Sequence, residues 1–264
     1  MPPFDVIVDV FKTTILPSVV VSFVAGWLLR KTQYAALAIF LGIVAGNLLS
    51  QLLPWWPYRD EMSFLLLAVF LSLFLMELKT KQWLTGTICI CIISLMLIQQ
   101  ESQDLVTSAT YVLFGMMLYM SLFAAECWLS GRVLMLLCIL SGSACSIILI
   151  YAHSGLLCQI ALLWTCSCGG LALTVLQGSL PIRGVAGPTT IFLQYLLYYG
   201  QQTCFSEVPA ASYYLAAIAP FPCVLVYLKC NSPLLRLIAV AGWLLLLVLA
   251  TGLAMYFDDV LIVQ

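Results

Sequence analysis

The sequence predicts an all-α fold: a polytopic transmembrane helical bundle of about ten spans with no soluble domain. Of the 264 residues, 64% are hydrophobic and only 8% are charged, whereas soluble domains carry roughly 25% charged residues. The few charges also leave long apolar intervals between them, and a helix needs about 20 apolar residues to cross a bilayer. We therefore expect residues 1–264 to form a single integral membrane domain.

Ten intervals without an ionisable side chain follow one another along the chain. They run 13–29, 32–58, 62–76, 82–100, 105–125, 133–152, 154–182, 184–206, 208–228 and 237–257. Each predicts a span, because charged groups in the hydrocarbon core are costly and collect near helix ends. The third interval is short, and the eighth is polar at both ends of its apolar part, residues 188–204. Eight or nine spans therefore stay open as alternatives.

The distribution of lysine and arginine predicts the orientation, since these residues favour cytoplasmic loops. With ten spans and an external N-terminus, only Lys12 and Arg59 lie outside. The internal loops then hold Arg30, Lys31, Lys79, Lys81, Arg132, Arg183, Lys229 and Arg236. If the eighth segment did not cross, the split of eight to two would fall to six to four. We expect a plasma membrane or bacterial inner membrane protein with both termini on the non-cytoplasmic side.

Cysteines and the N-terminus add little to this topology. Nearly all of the eleven cysteines lie in apolar segments, where a free thiol behaves as a small apolar side chain. Cys204 alone falls clearly in a predicted external loop, so no loop pair is available for a disulfide. The N-terminus lacks the basic region of a secretory signal, and the first apolar segment is therefore expected to stay as a transmembrane helix.

Stripes of small residues predict close helix packing. Ala38, Gly42, Gly46 and Ser50 are four residues apart and share one face of the second span, which lets another backbone approach. Two further stripes are expected to pack against each other, Cys138, Gly142 and Ser146 on the sixth span and Ala161, Thr165 and Gly169 on the seventh. Alternatively, the glycines loosen these two helices around a substrate, as in transporters with discontinuous helices.

The main polar side chains within the spans form the predicted solute site. They are Asn47, Ser50 and Gln51 of the second span, Ser141 and Ser143 of the sixth, and Thr165 and Ser167 of the seventh. Because none carries a full charge, the pattern favours a neutral or weakly polar solute. The alternative is that these groups only tie helices together by hydrogen bonds.

Reactive chemistry is not indicated. Residues two apart on a helix point about 200° away from each other, so Cys89 and Cys91 cannot share a metal, and the only histidine, His153, lies at a predicted boundary. No carboxylate pair or catalytic triad is recognisable. We therefore expect no cofactor, no metal and no enzymatic activity.

Three isolated features are predicted to be structural. Glu126 lies near Arg132, which indicates an ion-paired or snorkelling acid at the inner boundary. Arg183 precedes the eighth segment, whose first turn suits Pro188, and this arginine either sets the topology or binds an anion at the helix N-terminus. Pro220 and Pro222 predict a bend or break in the ninth span.

The function favoured by this pattern is a permease or channel for a neutral or weakly polar small solute. The alternative is a non-catalytic membrane-embedded subunit or scaffold, whose partners would be other membrane subunits or a second copy of this chain. An enzyme acting on lipid comes third. The expected environment is the lipid bilayer, and the lack of a basic run indicates no nucleic-acid partner.

Overall fold

A computed structural model describes residues 4–30, 36–50, 61–73, 83–98, 105–176, 183–203, 208–224 and 232–262. Within these ranges the chain is helical apart from short turns, and no strand occurs. The helices are α1 (Phe4–Val10), α2 (Leu16–Leu29), α3 (Leu37–Ser50), α4 (Glu61–Leu73), α5 (Trp83–Ile98), α6 (Leu105–Trp128), α7 (Gly131–Tyr151), α8 (Gly155–Leu176), α9 (Ala186–Thr203), α10 (Ala210–Ile218) and α11 (Pro233–Ile262). The predicted all-α class is confirmed.

Five helical stretches of the described chain are long and apolar enough to cross a membrane. They are Val8–Leu29, Ser108–Trp128, Gly131–Tyr151, Gly155–Leu176 and Pro233–Phe257. Leu37–Ser50, Gly86–Leu95 and Ala210–Val224 are shorter apolar helices. Length and composition therefore identify five candidate spans among the described residues, which is consistent with a membrane-embedded protein, and the predicted count of about ten is not confirmed.

The first predicted span is longer than the charge pattern indicated. A π-helical turn, Phe11–Ile15, joins α1 directly to α2, so the helix already includes Asp9 and Lys12. Pro17 lies at the start of α2 and has no N–H to donate to the preceding turn. The Leu16 N–H instead bonds the Phe11 carbonyl five residues back, which is the π-helical pattern.

Helix α9 lies at the centre of the bundle. It contacts α4, α5, α6, α7, α8 and α10, and every residue from Val185 to Tyr198 is buried. The segment that is least apolar in the sequence is therefore the one that other helices surround most completely. On one side α8 joins this centre to α2 and α3, and on the other α7 and α10 join it to α11.

The predicted small-residue face of the second span is confirmed as a packing surface. A Cβ atom on Gly42 would lie 2.8 Å from the Ser18 carbonyl oxygen, and one on Gly46 would overlap the Ser18 hydroxyl. Gly170 of α8 lies against the Val19 carbonyl of α2 and, like Gly42, against the Ser22 side chain. We call this contact of α2, α3 and α8 the seam. It requires glycine because helix backbones meet there directly.

The stripes predicted between α7 and α8 are only partly in contact. Gly142 lies directly against the Thr165 side chain, as the antiparallel pairing of the two helices requires. Gly169 has nothing within 4 Å of the position that a Cβ would take. The stripe prediction is therefore right at Gly142 and wrong at Gly169.

The predicted break in the ninth span is confirmed. Helix α10 ends at Ile218, and a turn over residues 219–221 precedes a further helical stretch that begins at Pro222. Tight bonds to carbonyls three residues back carry the chain through this turn, from Phe221 N–H to Ile218 O at 2.8 Å and from Cys223 N–H to Pro220 O at 3.0 Å. Proline at these positions cannot supply the missing helical donors.

Candidate functional site

A cleft lies between α6, α9 and α10. Helices α6 and α9 run antiparallel, since Tyr111 of α6 meets Gln201 of α9 and Gly115 meets Gln194. Gly115 has no side chain, and the Gln194 amide fills the space where a Cβ would be. The glycine therefore lets a long polar side chain lie flat against the neighbouring helix backbone.

Gln194 links three helices through its amide group. Its Oε1 accepts a hydrogen bond from the Ser94 hydroxyl of α5 at 2.9 Å, and its Nε2 donates to the Tyr111 carbonyl of α6 at 2.9 Å. The residue is 7% exposed. A buried amide is costly unless it is hydrogen-bonded, and each bond found here compensates part of that cost.

A second amide lies further along the same face of α9. Gln201 Oε1 accepts from the Tyr111 hydroxyl at 2.6 Å, and Gln201 Nε2 donates to the Tyr214 hydroxyl of α10 at 3.3 Å. Tyr198 lies between the two glutamines and meets Tyr111 edge to face, with ring centroids 3.8 Å apart. Phe114 stacks on Tyr214 at 5.3 Å.

The cleft has aromatic and aliphatic walls with two amides and several phenol hydroxyls. It contains about 330 Å³ of empty space, part of which is open to the outside of the fold, and between its walls there is room for about one or two ordered water molecules. Its described lining includes no charged side chain. The site can therefore exchange hydrogen bonds with an uncharged polar molecule but offers no counter-charge to an ion.

The predicted solute site is divided between separate contacts. In the seam, the Ser167 hydroxyl donates to the Leu163 carbonyl of the same helix at 2.8 Å, and the Ser167 carbonyl accepts from the Ser22 hydroxyl of α2 at 2.6 Å. Asn47 is fully buried on α3. Ser50 donates to Gly46 O of its own helix at 2.7 Å, and Gln51 lies outside the described residues.

The other predicted residues face different neighbours. Ser141 accepts from the indole N–H of Trp243 on α11 at 3.0 Å, and Ser143 is half-buried. Thr165 donates to the Ala161 carbonyl one turn back at 2.8 Å. Most of these hydroxyls therefore bond backbone of their own helix or join helices, and the structure does not gather the six described residues around one space.

Glu126 has partners that the sequence analysis did not find. Its carboxylate accepts hydrogen bonds from the backbone N–H groups of Gly184 and Ala186, the latter at 3.0 Å. The acid on α6 thus occupies the N-terminus of α9. This is the position at which the sequence left open an external anion bound beside Arg183. The predicted pairing with Arg132 is replaced by this internal cap, and Pro188 lies in the first turn of α9 as predicted.

Metal-binding geometry does not arise among the described residues. No three His, Cys, Asp or Glu side chains there are grouped closely enough to hold an ion. The nine described cysteines carry free thiols. Cys204 lies outside the described residues.

Part of the cleft is visible in the sequence as a pattern of spacing. Gln194, Tyr198 and Gln201 are spaced four and three residues apart and so share one helix face. Their partners Ser94 and Tyr111 are about a hundred residues earlier in the chain, and no local pattern links them.

No protein-family model matches the chain, and no curated protein matches it.

Proposed function

We propose that the chain crosses a plasma membrane or bacterial inner membrane ten times, with both termini on the non-cytoplasmic side. Each of the ten charge-free intervals contains one helix or most of it. The eight-to-two distribution of lysine and arginine supports the orientation.

The directions of the helices also support ten crossings. Alternating spans require the first and seventh to run parallel, and the contacts Val19 with Gly170 and Gly26 with Thr174 give α2 and α8 that relation. They require the fifth and eighth to run antiparallel, as α6 and α9 do. Helices α2 and α3 are antiparallel as well, since Gly42 meets Ser22 and Gly46 lies nearer to Thr14.

The topology is tested by reporters fused after Gln100, Arg132, Lys229 and Gln264. The ten-span arrangement predicts that they lie outside, inside, inside and outside. A cytoplasmic C-terminal reporter combined with an external one after Gln100 would contradict it.

Within this topology we propose a permease for a small uncharged solute that carries both hydrogen-bond donors and acceptors. The observation that carries the proposal is the cleft around Gln194 and Gln201. Tyr111 lies near the start of α6 and Gln201 near the end of α9, and in the proposed topology both of these helix ends are on the outer side. Amides are suited to such a solute because each offers a donor and an acceptor.

The size of the cleft indicates how a solute would enter. Space for one or two water molecules is too small for most metabolites, so a solute must displace the Tyr198 or Tyr214 ring or separate α10 from α9. The break after Ile218 supplies a joint at which α10 can move, since a proline-interrupted segment lacks part of the helical bond ladder.

The function is tested by uptake into proteoliposomes. The panel consists of urea, acetamide, glycerol and small neutral sugars and amino acids. We expect uptake of at least one solute above protein-free vesicles, and a loss of at least tenfold in Gln194→Leu and Gln201→Leu. Gln159→Leu on α8 is the matched control, because Gln159 is half-buried outside the cleft. Wild-type uptake at the protein-free rate for every solute would overturn the proposal and favour a subunit or scaffold.

A further inference from the structure

Helices α6 and α9 are joined at both ends of their contact, and the two junctions differ. At one end lie the open cleft and the bond from Tyr111 to Gln201. At the other, the Glu126 carboxylate accepts from the Gly184 and Ala186 N–H groups. One pair of helices therefore carries the solute cleft and, about four turns away, a carboxyl group that is hydrogen-bonded to two backbone N–H groups.

The contact at Glu126 depends on the local backbone. Gly184 has a φ of 81°, a conformation that favours glycine over residues with a side chain. This turn presents its N–H and that of Ala186 to the same carboxylate. The first N–H groups of a helix have no partner within the helix, and the positive end of the helix dipole favours an anion there.

The α9 side of this contact is buried, whereas Glu126 and Gly184 are half-buried and Arg183 is exposed. Val185, Ala186, Thr189 and Thr190 are each no more than 4% exposed. Separating α6 from α9 at this end would break both hydrogen bonds. It would also leave a half-buried carboxylate without its two donors, which is costly.

We infer that Glu126 is the inner gate of the permease: its carboxylate holds the N-terminus of α9 against α6 and closes the inner end while the cleft is open outward. This inference rests on the proposed function. Access from the cytoplasm then requires the N-terminus of α9 to leave Glu126. The residue contacts no solute in this scheme and acts by fixing the position of α9, which carries Gln194 and Gln201.

The gate is tested with a cysteine reporter at Thr189, which is fully buried on α9. The background replaces Cys127, an exposed thiol, and the two cysteines outside the described residues, Cys204 and Cys230, by serine. Inside-out vesicles are treated with a membrane-impermeant thiol reagent. We expect Glu126→Ala to raise the rate of labelling at position 189 at least tenfold, and Glu126→Gln to raise it less, because its amide keeps one acceptor oxygen.

Two controls separate gating from loss of stability. Trp243→Phe removes a buried hydrogen bond that joins α11 to α7 and does not involve α6 or α9, and it should lower the melting temperature without raising the labelling rate. Glu126→Asp keeps the charge and should restore part of the protection. Unchanged labelling in Glu126→Ala, or an equal rise in Trp243→Phe, would overturn the gate.

The same vesicles distinguish failure of the gate from failure of the proposed function. Increased labelling in Glu126→Ala without uptake of any solute by the wild type would support a latch between α6 and α9 but refute the permease. Solute uptake by the wild type with unchanged labelling in Glu126→Ala would retain the permease and refute the gate.

Discussion

Helix α9 is polar but buried, whereas helix α11 is apolar but largely exposed. Helix α9 contains threonines, glutamines and tyrosines, and its residues are buried from Val185 to Tyr198. Helix α11 is among the most apolar parts of the chain, yet Leu237 is 66% exposed and Val248 also 66%. In a water-soluble protein the large apolar side chains are inside.

The reversal is explained if the exposed faces lie in lipid. Lipid accepts the leucines of α11 at no cost, so that helix needs only a narrow inward stripe that includes Trp243 and Ala250. Polar side chains must find partners within the protein, and α5, α6 and α10 provide them for Gln194 and Gln201 of α9. The contrast therefore agrees with the proposed solute site in the polar centre and with lipid around the apolar periphery.

The largest expected effect comes from a charge on the periphery. Leu245 lies near the middle of the apolar part of α11 and is 59% exposed. Leu245→Lys should reduce membrane insertion, since lysine at a helix centre costs roughly 2.5–3.5 kcal/mol, whereas Leu245→Ala should insert normally. The measurement is the inserted fraction after carbonate extraction. Equal insertion of the lysine variant would indicate that this face does not lie in lipid.

Adjacent glycines on α8 give the next effect. A Cβ on Gly170 would overlap the Val19 carbonyl, while one on Gly169 would meet nothing within 4 Å. Gly170→Ala should therefore destabilise the seam by about 1–3 kcal/mol. Gly169→Ala should be neutral or stabilising by up to about 1 kcal/mol, because alanine is the better helix former. Equal unfolding free energies for the two variants would show that the seam is not tightly packed.

The smallest effect is expected at Trp243, the single tryptophan of α11, whose buried indole points inward. Trp243→Phe removes the hydrogen bond to Ser141 and should lower the unfolding free energy by about 1 kcal/mol. Thr251→Val is the control, since the Thr251 hydroxyl bonds carbonyls of its own helix at 3.0 Å and 3.1 Å. A larger loss in Thr251→Val than in Trp243→Phe would contradict this expectation, because the bond between α11 and α7 would then contribute less than a bond within α11.

The sequence predicted those features of the fold that depend on local chemistry. Charge spacing located the helices, and the rigid rings of Pro220 and Pro222 indicated the break after α10. Gly42 and Gly46 were correctly predicted as a packing face because small residues one turn apart have the same effect on any partner helix. The π-helical turn before Pro17 was missed, since the sequence indicated a proline but not how the helix would accommodate it.

The candidate site could not be predicted in the same way. Whether a serine lines a cavity or bonds its own helix depends on what lies opposite, and Ser141 lies opposite Trp243, about a hundred residues later. From sequence the eighth segment is the least certain span, because its polar side chains would be unfavourable in contact with lipid. In the structure α9 is surrounded by other helices instead, and Gln194 forms hydrogen bonds with them.

The central claim is that the solute binds at the polar centre around α9. The most direct test compares three proteins: the wild type, Gln194→Leu and Thr165→Val. For each, the measurement is the rise in melting temperature when a transported solute is added. Thr165 belongs to the site predicted from sequence, but its hydroxyl bonds the Ala161 carbonyl. The account predicts that the rise is lost in Gln194→Leu and unchanged in Thr165→Val. A rise that persists in Gln194→Leu and disappears in Thr165→Val would contradict it.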